Sequence, residues 1–372
     1  MAATRNPTMF GGNKFKLAVF GSNCSSGRAA TKVPERWRNE FEENVRLARL
    51  SEEVGIECMV PIGRWKGYGG ETDFEGSTWE TITWACGLLA ATRRLTVFGT
   101  VHVPIFPPVL AAKQIVTADH IGEGRFGLNI VCGWNQDEFD MFGLAQDVHD
   151  DRYARGQEWW DIINRIWTEE APFDFDGAYY QLKGVAGRPL PWGGRRPILM
   201  NAGHSLAGRM FAARNCDMLF DQPVFLDQAA ERIADAKKAA RALGKEILVF
   251  TSGAVVCRPT QKEADEYLRH FAVENRDDGA IDTMFKLYLN PANQRTMTRD
   301  DIEKLRMRYG AGYGGLLAVG DPDTVAAEFK KLADAGFDGF CFSFVAYNDE
   351  LPYFAQEVLP RLERLGLRQP MK

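Results

Sequence analysis

The sequence predicts an α/β protein of the (β/α)8 barrel type, with long insertions at the C-terminal face of the barrel. Three observations carry that expectation. Short apolar runs alternate with amphipathic, helix-length stretches along the whole chain, and eight such pairs can be traced. Apolar strands joined through helices imply parallel pairing by right-handed crossovers. The chain has 372 residues, and a bare barrel needs ~250, so roughly 120 remain for loops. On periodicity alone, a doubly wound sheet is the competing arrangement.

The expected strands are Phe15–Phe20, Glu57–Pro61, Leu95–Val101, Phe126–Val131, Pro197–Asn201, Met218–Asp221, Glu246–Val256 and Gly339–Phe344. Helices are expected near 39–54, 77–92, 107–121, 150–167, 205–214, 226–243, 322–335 and 350–365. Three segments, SEEVGIECMVPI, FAARNCDMLFDQ and LADAGFDGFCFSF, repeat a helix, a stop and a strand. Gly55, Asn215 and Gly336 stand where each helix would take a left-handed residue to end. The surplus falls at 21–37, 62–76, 132–149, 168–196 and 258–320, mostly after strands, on the face where barrel active sites form. The last contains helical patterns (EADEYLRHFAVE, DDIEKLRMRY) and is read as a lid or an oligomer contact. The whole chain, 1–372, is expected to be one domain.

Composition narrows the partners. Lys+Arg 45 against Asp+Glu 50 gives a net charge of −5, too mild to mark nucleic acid or an anionic membrane. No apolar run approaches the ~20 residues that span a bilayer. The start, MAATRNPTMFGGNKFK, lacks the apolar core of a secretory signal. Seven cysteines are scattered singly, without a CxxC pair, which argues against zinc and a disulfide frame and for the cytoplasm. Five histidines form no HxH or HExxH, so no catalytic metal is expected. Motifs of the GxSxG, GxxxxGK[ST] and GxGxxG types are missing as well.

What remains is a set of strand ends with neutral polar residues. LTVFGTVHV places Thr100 near the end of one strand, and GRFGLNIVCGWNQDEF places Asn129 inside the next, with Trp134 and Glu138 just after it. Asn129 reads equally as a buried amide tying strands together. Beside Thr100 it also suits the polar edge of an isoalloxazine ring, because both supply hydrogen bonds without charge. In DVHDDRYARGQEWW, Asp150 or Asp151 would cap a helix starting near Arg152. There Arg152 and Tyr153 offer a planar fork and a phenol to a phosphate. PILMNAGHSLAGRM supplies a second anion cue: Gly203 permits close backbone approach, and Ser205 adds a hydroxyl beside free helix-terminal N–H groups.

These pieces resemble the bacterial-luciferase-like flavin monooxygenases over about residues 15–365. The resemblance is densest in LLAATRRLTVFGTVHVPIFPPVLAAKQIVTADHIGEGRFGLNIVCGW and continues in DDRYARGQEWWDIINRIW, DFDGAYYQL and PLP. Within that family the chain is most similar to the group of pyrimidine and dimethylsulfone monooxygenases, whose pattern also includes IGRWKGYGGETDFEG. The resemblance implies a two-component enzyme that takes reduced FMN from a separate NAD(P)H-dependent reductase and uses dioxygen. It puts flavin contacts on Gly63, Arg64, Asn129, Glu138, Arg152, Tyr153 and Ser205, and implies a homodimer or homotetramer. Thr100 and Asn129 match residues that hold oxygen at the flavin nitrogen-5 edge in the pyrimidine enzymes, so a nitrogen-5 peroxide or oxide is the expected oxidant. Gly63–Arg64 and His204 depart from the Ile-Lys pair and the Gln of those enzymes, although Arg64 keeps the positive charge.

The expected reaction is oxidation or cleavage of a small organic substrate at a C–N or C–S bond, with Trp65, Tyr68, Phe106 and Trp134 as an apolar wall around a flat molecule. Two other readings stand beside it: a deazaflavin-dependent dehydrogenase or reductase of the same superfamily, and a flavin-binding barrel without turnover.

Overall fold

The structure, a computed structural model, describes residues 6, 8–133, 135–145, 149–223, 226, 229–289 and 297–370, with all their side chains except those of 149 and 150. Trp134 lies outside the described residues. The strands in chain order are β1 (Lys16–Phe20), β2 (Cys58–Val60), β3 (Thr96–His102), β4 (Phe126–Val131), β5 (Phe173–Asp176), β6 (Gln181–Val185), β7 (Ile198–Asn201), β8 (Met218–Phe220), β9 (Leu248–Cys257), β10 (Leu316–Gly320) and β11 (Gly339–Ser343). Eight of them pair in parallel in the order β1-β2-β3-β4-β7-β8-β9-β11, and β11 closes on β1. These are the eight strands the sequence predicts, and helices cover them.

Alternation along the strands decides what faces the barrel axis. On β3, Val97 and Val101 point out into the core under the helices. Phe98 points in and packs with Ala18, Val60, Met200, Phe250 and Cys341. Two and four residues further on, Thr100 and His102 share that inward face, with Thr100 opposite Asn129 and His102 opposite Val131. Gly127, opposite Gly99's neighbour Phe98, leaves room for that ring, since a Cβ there would come within 2.5 Å of it. The barrel is thus plugged by apolar side chains below and turns polar toward its C-terminal mouth.

The insertion 258–320 is folded over its described residues. It holds helices Gln261–Arg269, Asp278–Tyr288 and Arg299–Gly312 and ends in β10, which pairs with the outer half of β9 from Gly253 to Cys257. The long expected strand at 246–256 therefore serves two neighbours: its first half closes the barrel and its second anchors the insertion. β10 and the antiparallel hairpin β5–β6 were not predicted. Two local expectations are corrected. Gly55 and Gly336 do adopt positive φ, but Asn215 stays helical at the end of Leu206–Asn215, because its amide donates to Phe211 O (3.1 Å) and Gln157 Oε1 (2.8 Å). The helix expected to begin near Arg152 is already under way at His149, so Asp150 and Asp151 sit within its first turn rather than capping it.

Candidate active site

A cavity of about 1200 Å³ opens at the C-terminal ends of the strands. Thr100, Asn129 and His102 form its barrel side. Gly63 and Arg64 border one flank, and Arg152, Tyr153 and Ser205 another. Tyr288, Leu305, Arg308 and Tyr313 of the insertion form its roof.

The barrel side is held rigidly. Thr81 fixes the backbone of Thr100 from both directions, accepting from its N–H at 3.0 Å and donating to its carbonyl at 2.6 Å. Thr100 Oγ1 donates to Pro61 O (3.3 Å) and accepts from Asn129 Nδ2 (3.2 Å). Asn129 Oδ1 is buried with no partner. So is Asn201 Oδ1, whose amide nitrogen donates to Ile130 O at 2.6 Å. A buried acceptor left unpaired costs about 1–3 kcal/mol, so this wall is built to receive donors. The N–H groups of a reduced flavin ring are donors of that kind. Gly63 lets the loop after β2 lie against this wall: a Cβ there would meet His102 Cε1 at 2.8 Å and Thr100 Cγ2 at 2.9 Å.

At the other end, Ser205 caps helix Leu206–Asn215, accepting from Gly208 N at 3.1 Å. Tyr153 hydrogen-bonds Ser205, and its hydroxyl lies 2.5 Å from where a Gly208 Cβ would be. Arg152 donates through Nη1 to Gly133 O (2.9 Å), while its Nε is buried without a partner. A guanidinium with unmet donors beside a helix N-terminus, a hydroxyl and a phenol fits a phosphate. The cavity therefore leaves an acceptor open at one end and a donor at the other, which fits the ring edge and phosphate of FMN.

Arg64 is surrounded differently. Its Nε donates to Glu75 Oε2 and its Nη1 to Glu138 Oε1, both at 3.1 Å, and its Nη2 to Tyr313 Oη at 3.3 Å. Glu75 also binds Arg28 Nη1 at 2.8 Å. All four charged side chains are buried. Above them the hydroxyls of Tyr68, Tyr288 and Tyr313 meet in one cluster, and burial pushes the Tyr68 and Tyr313 phenols well above their ordinary range. Tyr313 reaches this point because the helix Arg299–Gly312 ends on it in a left-handed conformation, φ 58°, which a non-glycine residue adopts at a cost.

Four expected site residues do not line the cavity. Glu138 lies behind Arg64 and accepts the backbone N–H of Trp65 at 2.9 Å. Trp65 packs edge-on to Phe142 and donates through Nε1 to His102 Nδ1 at 3.3 Å. Tyr68 stacks its ring against the Arg64 guanidinium, whose carbon is 4.6 Å from the ring centre. Phe106 is in the core beneath the helices. For Tyr68 the cause is the 62–76 loop, which closes on itself through Tyr68 N to Phe74 O and Phe74 N to Gly69 O, both 2.9 Å, and stacks Tyr68 on Phe74. His204 bonds Asp221 through Nδ1 at 3.2 Å and lines the cavity at the Ser205 end.

Residues 15–339 match the model of the luciferase-like monooxygenase family. The chain belongs to the luciferase-like monooxygenases. It is 29% identical over 356 residues to an FMNH(2)-dependent dimethylsulfone monooxygenase of Pseudomonas fluorescens, covering 94% of this chain and 95% of that one. It is 30% identical over 366 residues to a pyrimidine monooxygenase RutA of a Bradyrhizobium strain, covering 95% and 98%. The crystal structure of DmoA from Hyphomicrobium sulfonivorans superposes with a TM-score of 0.85 at 20% identity, over 96% of this chain and 89% of that one. Two F420-dependent enzymes share the fold at lower TM-scores, 0.68 and 0.67. This luciferase-like monooxygenase is an oxidoreductase.

The sequence left some site residues unremarked. Asn201 carries the same signal as Asn129, an amide at a strand end, and His102 follows Thr100 at the two-residue spacing that keeps one face. Arg28, Glu75 and Tyr313 had no such signal, since nothing local marks a buried ion pair. Among the described residues no cluster of His, Cys, Asp and Glu could hold a metal, and no helix is long and apolar enough to cross a membrane.

Proposed function

We propose that this monooxygenase binds reduced FMN with its phosphate on Arg152, Tyr153 and Ser205 and the polar edge of its ring on Thr100 and Asn129, and oxidises or cleaves a small organic molecule at a C–N or C–S bond. One observation carries the reading: unpaired buried hydrogen-bonding atoms, Asn129 Oδ1 and Arg152 Nε, stand at two ends of one cavity. Reduced FMN, when bound, supplies the electrons that activate dioxygen. Thr100 and Asn129 orient the ring edge without adding charge, and Gly63 leaves the space beside it open. Arg64 and Glu138 act one layer back, holding the loop that carries Gly63. The insertion 258–320 serves as a lid that excludes water, supported by the row of its residues on the cavity roof.

A separate NAD(P)H-dependent flavin reductase delivers the cofactor. Assembly as a homodimer or homotetramer is supported by Val109, Leu110 and Ile121, large apolar side chains exposed on helix Pro108–Ile121. A cytoplasmic location is supported by seven free cysteines, which suit a reducing compartment.

The test pairs two variants. Thr100→Ala should abolish product formation while FMN affinity, measured anaerobically by titration, changes little. Arg152→Ala should lose FMN affinity. Normal binding by Arg152→Ala would show that the phosphate is held elsewhere.

A further inference from the structure

His102 takes no part in the reading above, although it stands on the inward face of β3 one layer nearer the mouth than Thr100 and lines the cavity. Its ring is clamped. Gly63 makes the room it occupies, since a Cβ there would stand 2.8 Å from Cε1. Trp65 Nε1 lies 3.3 Å from His102 Nδ1, and Trp65 is itself held by Glu138 at its backbone N–H and by the Phe142 ring. An indole N–H only donates, so Nδ1 must present its lone pair and the proton must reside on Nε2. Nε2 has no partner among the described residues, and the residue lines the cavity.

We infer that His102 is a specificity-determining residue whose Nε2–H donates to an uncharged acceptor oxygen of the substrate, a carbonyl or sulfonyl group held over the Thr100–Asn129 layer. This rests on the ring site proposed above. Burial keeps the imidazole uncharged, its pKa lowered to about 4, with Glu138 opposing that shift and Arg64 reinforcing it. His102 is therefore neither a general acid nor a cation at neutral pH. Arg64, the cation that acts on the ring, offers little to an anion either, because it is already matched by Glu75 and Glu138. An ionised substrate group at this position would lose its water without gaining a counter-charge, whereas a neutral oxygen needs only the one donor.

The first measurement is made on the chain without flavin, by long-range proton–nitrogen correlation of the His102 ring at pH 7. The expected spectrum has a protonated Nε2 and a bare Nδ1, and Trp65→Phe should release the ring into a mixture of tautomers. Dimethyl sulfone and uracil, as neutral probes, should shift the Nε2 signal saturably, and methanesulfonate, the anionic counterpart, should not. His102→Phe should weaken the neutral probes by roughly tenfold, the scale of one hydrogen bond. His102→Gln, which keeps an N–H donor, should restore most of that loss, and both variants should bind reduced FMN like the parent. An Nδ1–H or imidazolium form at pH 7, tighter binding of methanesulfonate, no shift with either neutral probe, or a loss of FMN affinity in His102→Phe as large as in Arg152→Ala would each overturn the assignment. Failure of the flavin site itself would read out separately, as unchanged FMN binding by Arg152→Ala.

Discussion

Arg64 and Arg152 border the same cavity, and the resemblance to flavin enzymes points to both, yet their surroundings are opposite. Each nitrogen of the Arg64 guanidinium already donates, to Glu75, Glu138 and Tyr313. Arg152 has one backbone carbonyl and a buried Nε with nothing to bond. A buried charge whose donors are all met by the protein fixes architecture. A half-buried charge with a donor left over is free to bond a ligand. The difference teaches that a positive residue at a flavin-family position is a binding group only if the fold leaves its hydrogen bonds open.

The largest effect should come from breaking the satisfied member. Arg64→Met leaves Glu75 and Glu138 buried against a lone Arg28, and should lower unfolding stability by about 3–5 kcal/mol, read from urea denaturation. Adding Glu138→Gln should recover part of the loss, and if Arg64→Met alone is as stable as the parent, the pairing is not structural.

Next is the pH dependence written into His102. Its pKa is about 4 in the folded chain against an ordinary 6.5, so the unfolded chain binds the extra proton first. Its stability contribution is intact above pH 6.5 and is lost as pH falls toward 4. Asp119, raised to about 6 by burial, titrates with the opposite sign over much of the same range, so the comparison must be made between variants. His102→Gln should gain about 2–3 kcal/mol on the parent between pH 7 and pH 4.5. An unchanged difference would mean that the imidazole is protonated in the fold.

Arg152→Ala sharpens the contrast from the other side. It should weaken reduced FMN by about 1.5–3 kcal/mol, the range for a charged hydrogen bond, while the melting temperature without flavin hardly moves. The smallest change is expected from Ser205→Ala, about 1 kcal/mol of stability from the lost helix cap, seen as a lower urea midpoint.

Much of the frame was legible because its signals are local. The apolar runs of β3 and β4 and the flanking helices gave the barrel, and Thr100 and Asn129 could be put side by side from their places in adjacent strands. Ser205 announced itself as a cap. β10 was hidden because LLAVG is short and lies inside a polar insertion, and the hairpin β5–β6 because FDFD carries only two apolar residues. Tyr68 and Phe106 looked like a substrate wall, since an aromatic residue in a loop gives no sign of whether it will face a cavity, pack against its own loop as Tyr68 does, or enter the core as Phe106 does.

The sequence by itself determined the order of strands and helices and, through the two-residue period of β3, the stacking of Phe98, Thr100 and His102 on one inward face. Only the tertiary structure decided which donors are spent and which are open. Arg64 meets partners 11, 74 and 249 positions away, and contacts between groups so distant along the chain leave no local pattern to read.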